Sequence, residues 1–162
     1  MNIIKELEKN TNIQYVAVRL SQSSKNKVEL YLKENKIKNP VTKDKMHITV
    51  MYSTTIIDMK DALLDKKIKE YLTPLKFNIW KTQDGANSLV VEMESEYLKK
   101  RHFYWKERNG KPLYPEFKVH LSLSYNVGDD FDLSALDIDK FPIVDVVEEY
   151  AEPLNLNFAK EP

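Results

Sequence analysis

Three histidines occur in the 162-residue chain, and two of them stand in matching surroundings. One stretch reads Lys45-Met46-His47-Ile48-Thr49-Val50-Met51-Tyr52-Ser53, the other Lys118-Val119-His120-Leu121-Ser122-Leu123-Ser124-Tyr125-Asn126. Both run Lys, apolar, His, apolar, hydroxyl, apolar, any residue, Tyr, small polar. On a strand, residues two apart share a face. His47 therefore projects with Thr49 and His120 with Ser122, while the apolar residues between them pack the other side. Serine and threonine make up 16 of the 162 residues, so a hydroxyl two places after a given histidine has a chance of about one in ten by composition. Two of three histidines meeting it, with matching flanks, mark an internal repeat.

A repeated His-x-Thr/Ser pair suits phosphodiester chemistry. Two imidazoles titrate near neutral pH, so one can take a proton while the other gives one. Two hydroxyls beside them can hold non-bridging phosphate oxygens. A metal site is the competing use of two histidines, but it wants a further ligand at suitable spacing. Neither motif offers His-x-His or a nearby carboxylate, so no metal and no cofactor is expected. The chain has no cysteine, which removes thiolate zinc, iron–sulfur and cysteine-nucleophile chemistry. With three glycines (Gly85, Gly110, Gly128) and no Gly-rich phosphate loop, P-loop and Rossmann readings fail as well.

Length predicts one domain over 1–162, and an apolar fraction of 42% supplies a core. No run approaches the roughly 18 apolar residues of a membrane span. The start, Met1-Asn2-Ile3-Ile4-Lys5-Glu6, does not read as a signal peptide, so the expected compartment is the cytoplasm. The 25 basic and 25 acidic residues cancel, which argues against wrapping long nucleic acid by phosphate neutralisation. The charges are unevenly spread. Residues 129–162 carry ten acids against Lys140 and Lys160, a balance of -8, which leaves +8 for residues 1–128. That asymmetry suits either a basic pocket with an acidic flank or two differently solvated faces.

The elements that must position the repeat follow from local patterning. Ile13 to Leu20 predicts a strand. Ser21 to Ser24 offer N-caps for a helix running through Ile37 and ending near Asn39-Pro40. Met46 to Ser53 predicts a strand, and the apolar spacing of Asp58 to Leu72 predicts a helix stopped by Pro74. Leu75–Thr82 and Ser88–Glu94 predict a hairpin around Gln83-Asp84-Gly85-Ala86-Asn87. A helix over Glu94–Arg108, closed at Asn109-Gly110, precedes strands at Phe117–Asn126 and Ile143–Tyr150. Helices and strands mix without strict alternation, which indicates an α+β fold with largely antiparallel sheets.

Around the pair, Tyr15 and Arg19 share a strand face. Tyr15 would stack on a base, bond a phosphate, or serve as an ordinary sheet tyrosine. Trp80 falls with Asn78 and Thr82, away from Phe77 and Ile79, as expected of an indole that stacks on a base. Glu148, read as sharing its face with Val146 and Tyr150, would accept from a purine amino or imino group, orient an imidazole, or sit solvated. Trp105 is assigned to the core and His102 to a helix surface. Residues 99–118 carry seven basic against two acidic side chains, a surplus of 7 − 2 = +5 near a polyphosphate-sized target or on a solvated helix.

His47-Ile48-Thr49 and His120-Leu121-Ser122, each in an apolar strand and 73 residues apart, resemble the paired signature of the two-histidine phosphoesterase superfamily. The resemblance covers the chain from Ile13 to Tyr150 and implies a two-lobed, pseudo-symmetric fold with a central cleft. The start Asn12-Ile13-Gln14-Tyr15-Val16-Ala17-Val18 and the strand Val146-Val147-Glu148-Glu149-Tyr150 look most like the phage anti-CBASS nucleases, which degrade cyclic di- and trinucleotide messengers such as cGAMP. The implied activity is metal-independent cleavage in the host cytoplasm. One histidine deprotonates a ribose 2′-hydroxyl for attack on phosphorus, the other protonates the leaving 5′-oxygen, and Thr49 and Ser122 hold the phosphate. Which histidine plays which part stays open at this level. The alternatives are a 2′,3′-cyclic phosphodiesterase acting on RNA ends and a non-catalytic cyclic-nucleotide sponge.

Overall fold

Residues 12–153 are described by the structure, a computed structural model. Strand β1 (Ile13–Leu20) leads into helix α1 (Gln22–Glu34). The Ser21 hydroxyl caps that helix by accepting from Ser24 N, and Lys36 ends it in a left-handed turn with φ 54°. Strand β2 (His47–Tyr52) follows, then β3 (Glu70–Lys81), β4 (Asn87–Glu94), helix α2 (Glu96–Lys106), β5 (His120–Ser124) and β6 (Val144–Pro153). Helix α2 starts on a Ser95 cap. It closes through Asn109 at φ 67° and Gly110, where a Cβ would lie 2.6 Å from the Trp105 carbonyl oxygen. Glycine is required at that close approach.

The six strands form one sheet in the order β2-β1-β6-β3-β4-β5, and every neighbouring pair is antiparallel. The two outermost strands, β2 and β5, nevertheless touch. The sheet therefore curls until its edges meet, and the motif strands are those edges. Each half has the same plan. A central strand (β1 or β4) leads through a helix to an edge motif strand (β2 or β5), and a third strand (β6 or β3) joins the halves at the middle. This is the two-lobed α+β architecture that the resemblance to the two-histidine phosphoesterases implies.

The lobes also exchange straps over their edges. The connection after α1 runs along β5, with Val41 N donating to Leu123 O at 2.9 Å and Pro40 bridging Ser124. The connection after α2 runs along β2, with Leu113 N donating to Tyr52 O at 2.9 Å and Pro112 bridging Ser53. Both unpaired strand edges are thereby covered. The core lies between the sheet's back face and the helices, with Val16, Val18, Ile48, Leu89, Val91, Leu98, Trp105, Leu121 and Val146 all buried.

Three expectations need correction. Residues 58–69 form no helix, although their apolar spacing fits one. Asp61 adopts φ 58°, and the segment's backbone bonds to other elements: Asp58 N to Arg108 O, Ile68 N to Val147 O, and Asp65 O from Glu149 N. Those tertiary bonds, with Ile57, Ala62 and Ile68 as buried anchors, override local propensity. Second, β3 begins at Glu70 rather than Leu75. Its first residues pair with β6 and the rest with β4, and the register shifts between Pro74 and Lys76, where proline donates no hydrogen bond. Third, Val146 does not share a face with Glu148. The pairs Arg19↔Glu148 and Leu20↔Val146 leave Val147 as a bulged extra residue, and Val146 joins the buried back face. Among the described residues no helix is long and apolar enough to cross a membrane.

Candidate active site

The front face of the curled sheet gathers the motif residues. His47 pairs with Arg19 and Thr49 with Ala17 in the β1–β2 ladder, while His120 pairs with Glu92 and Ser122 with Val90 in the β4–β5 ladder. Both ladders then break at the same place. Val50 and Leu123, each directly after the motif hydroxyl, are extra residues without a cross-strand partner. The opposite lobe satisfies each bulged carbonyl, through its strap in one case, Val41 N at Leu123 O, and through helix α2 in the other, the His102 Nδ1–H at Val50 O (2.6 Å). His102 is accordingly half-buried rather than on the surface, and its ring stacks on Phe117 at 4.0 Å, 3° from parallel. It ties the Thr49 strand to the segment that leads into His120.

The two imidazoles are held identically. Nδ1 of His47 lies 2.7 Å from the Lys45 carbonyl oxygen, and Nδ1 of His120 lies 2.8 Å from that of Lys118. A carbonyl oxygen only accepts, so Nδ1 carries the proton in both rings. Nε2 is then the nitrogen whose protonation changes, as a base when bare and an acid when protonated. The rings lie within electrostatic reach of each other. Burial pushes the His120 imidazole below its ordinary range, and a charge on His47 pushes the same way. The Lys118 carbonyl and the Glu92 carboxylate oppose that shift.

Tyr15 is 1% exposed, and its hydroxyl lies 2.7 Å from Thr49 Oγ1. Its ring makes an edge contact with His47 at 6.2 Å between centroids. Tyr15 thus offers the site a hydroxyl anchor for Thr49 and no exposed ring face. Burial, with Tyr150 and Glu152 nearby, holds its phenol well above the usual tyrosine range, so it stays protonated. Trp80 packs against His120, with ring centroids 4.4 Å apart and planes at 57°. Glu148 is ion-paired with Arg19 (Nε to Oε1, 3.0 Å), whose guanidinium also lies 4.1 Å from the Tyr150 ring centre. All seven candidate residues therefore belong to one face.

One participant escaped the sequence reading. Glu92, 8% exposed, lies directly across from His120 and accepts from Asn78 Nδ2 at 2.9 Å. Its alternation with Val90 in a strand that follows a Gly turn was the available signal. The acidic C-terminal region also resolves into separate jobs. Glu148 lies on the front face with Arg19 and His47, whereas Glu149 is fully buried and accepts from Arg101, Trp105 Nε1 and Asp65 N. That pairing, and Lys99 on Glu94 at 2.7 Å, neutralise part of the basic surplus around α2. Among the described residues no group of three or more His, Cys, Asp or Glu is arranged to hold a metal ion.

The family model described as "Anti-CBASS protein Acb1" matches residues 12–161. The anti-CBASS protein Acb1 of Enterobacteria phage T4 is 32% identical over 147 residues, covering 91% of each chain. That of Vibrio phage KVP40 is 34% identical over 144 residues, covering 89% of each. Among solved structures, Escherichia coli LigT in its apo form aligns over 89% of this chain and 96% of that one, with a TM-score of 0.46 and 15% identity.

Proposed function

The chain belongs to the Acb1 family of anti-CBASS proteins and is an enzyme of the phosphodiesterase class; from that premise we propose that it cleaves cyclic di- and triribonucleotides without a metal ion, by proton transfer at His47 and His120. One observation carries the reading. The two edge strands of one curled sheet carry the same His-x-hydroxyl spacing and lie near each other, and each imidazole has Nδ1 committed to its own segment. Proton exchange is left to the two Nε2 atoms.

In this scheme the ring's phosphodiester sits between the lobes, with its non-bridging oxygens on Thr49 and Ser122. One Nε2 takes the proton of the adjacent ribose 2′-hydroxyl. The 2′-oxygen bonds to phosphorus, and the bond to the 5′-oxygen breaks as the other imidazolium protonates that oxygen. The product is a linear oligonucleotide ending in a 2′,3′-cyclic phosphate, which water opens with the roles exchanged. Hydroxyls aimed at the phosphate stabilise charge as it builds, and paired acid–base transfer contributes about 10²–10⁴-fold. Tyr15 orients Thr49, Trp80 stacks on a base, and Glu148 with Arg19 reads the edge of a base. A ring with two or three phosphates needs a local cleft and no broad basic surface, in keeping with the chain's zero net charge.

Resolving the products of a cyclic diribonucleotide by mass tests this reading. The expected result is a linear species with a 2′,3′-cyclic phosphate end, and an uncut 2′-deoxy analogue. Normal turnover of the 2′-deoxy ring would overturn the internal nucleophile. A ring recovered intact but bound would indicate a sponge, and cutting confined to 2′,3′-cyclic ends of linear RNA would move the substrate to RNA termini.

A further inference from the structure

The two lobes are alike in backbone and opposite in charge. Across the sheet from His47 lies Arg19, and across from Arg19 lies Glu148. In the same places across from His120 lie Glu92 and then Lys76. Each lobe thus carries a cross-strand row of histidine, charge and opposite charge. The first row ends in an Arg19–Glu148 ion pair at 3.0 Å, the second in a Lys76–Glu92 pair at 4.0 Å. Side chains directly opposite in antiparallel strands have Cβ atoms about 4.5–5.5 Å apart. His47 therefore stands across the ladder from the residue that is the positive end of its ion pair, whose guanidinium turns to Glu148 and the Tyr150 ring, and His120 stands across from the negative end of its own.

The consequence lies in how charge moves during the reaction described above, on which this inference rests. A general base begins neutral and becomes an imidazolium, whereas a general acid begins as an imidazolium and becomes neutral. Only interactions that strengthen towards the transition state accelerate the step. A carboxylate beside the base and a cation beside the acid both do so. We propose that His120 is the general base for 2′-hydroxyl attack and His47 the general acid at the 5′-oxygen, with Glu92 the positioning residue that stabilises the His120 imidazolium as it forms.

The surroundings fit those roles. The indole of Trp80 from β3 lies against His120, a desolvating wall that keeps the resting ring neutral. The groups acting on His120 are Glu92 from β4, His47 from β2 and the Lys118 carbonyl on its own segment, with Lys76 behind Glu92. His47 faces Arg19 and Tyr15 from β1, with Glu148 behind Arg19 on β6. Glu92 is 8% exposed and fixed by Asn78, whereas the Arg19 and Glu148 side chains are 51% and 39% exposed. Glu92 therefore acts on His120 from a buried, fixed position, whereas the Arg19–Glu148 pair is open to solvent screening.

Two experiments decide it. First, the ring-proton resonances of His47 and His120, assigned by single substitution, are titrated in the free protein. Glu92→Gln lowers the His120 midpoint, while Lys76→Met raises it. Arg19→Gln raises the His47 midpoint. Should Glu92→Gln fail to fold, the exposed Lys76→Met carries the same comparison. An unmoved His120 midpoint overturns the role of Glu92. Second, a cyclic diribonucleotide with sulfur in place of the bridging 5′-oxygen has a leaving group that needs no acid. The account predicts that this substrate restores His47→Ala at least about 100-fold relative to the oxygen ring and leaves His120→Ala inactive. Rescue of His120→Ala instead reverses the assignment. If wild-type protein cuts neither ring, the phosphodiesterase reading fails, and the titrations still decide whether Glu92 governs His120.

Discussion

The Tyr15 hydroxyl and Thr49 Oγ1 lie 2.7 Å apart, and they join the centre of one lobe to its motif strand. The matching position in the other lobe is Ser88, whose hydroxyl donates instead to the Ser124 carbonyl at 3.2 Å. Thr49 therefore has a buried phenol to fix its rotamer. Replacing Tyr15 with Phe keeps the packing and removes the anchor, at about 1 kcal/mol. The expected outcome is a fall in kcat of about three- to tenfold with KM nearly unchanged and the melting temperature lowered by about 2–4 °C. Steady-state kinetics on a cyclic diribonucleotide check it.

His102 supplies the donor for the bulged Val50 carbonyl, so its loss is structural before it is chemical. His102→Ala should cost about 1–3 kcal/mol in urea unfolding, the usual penalty for a buried acceptor left without its partner. Burial foremost, and Lys106 in addition, hold the His102 imidazole below its ordinary range, and burial does the same for His120. As pH falls below about 6.5 the unfolded chain takes up these protons first. Stability is therefore full above that pH and lost as it falls through the native values. Urea midpoints measured from pH 7.5 to 5 should decline, and less steeply in His102→Gln.

Glu149 anchors the back of the sheet to α2. Its buried carboxylate accepts from Arg101 Nη2 at 2.5 Å and Trp105 Nε1 at 3.0 Å. Glu149→Gln leaves the Arg101 guanidinium with an uncharged partner in a site only 16% exposed, and breaking such a pair costs about 3–5 kcal/mol. Chemical denaturation should show that loss, while the activity per folded molecule stays near wild type. The neighbouring Glu148→Gln should do the reverse and change substrate preference at little cost in stability, because its pair is exposed.

The motif strands were legible because period-2 alternation and an internal repeat are local properties. The first helix was announced by the cap candidates Ser21 to Ser24, and the α2 stop by Asn109-Gly110. The segment 58–69 was not legible. Its apolar spacing fits a helix, but the bonds that hold it come from Arg108, Val147 and Glu149, far away in sequence. Glu92 escaped for a related reason. Alternation with Val90 sets it on one strand face, but its place opposite His120 follows from the cross-strand register, which no local pattern gives. Val147 misled similarly, since one extra residue turned Val146 to the opposite face from Glu148.

Trp80 should report ligand directly. Trp105 is fully buried, so a change in indole fluorescence on adding a cyclic dinucleotide would come mainly from the ring beside His120. Loss of one stacking partner costs about 1–3 kcal/mol, so Trp80→Ala should raise KM roughly 10- to 100-fold and abolish the signal. An unchanged KM would remove Trp80 from the binding surface.

The central claim is that two imidazoles, without a metal, break a ring phosphodiester. It is tested most directly by incubating a cyclic diribonucleotide with the protein in excess EDTA, alongside His47→Ala and His120→Ala. The account predicts full wild-type activity in EDTA and a loss of at least about 100-fold in each variant. Activity that EDTA abolishes and a divalent cation restores, or a variant that still cuts at the wild-type rate, would contradict it.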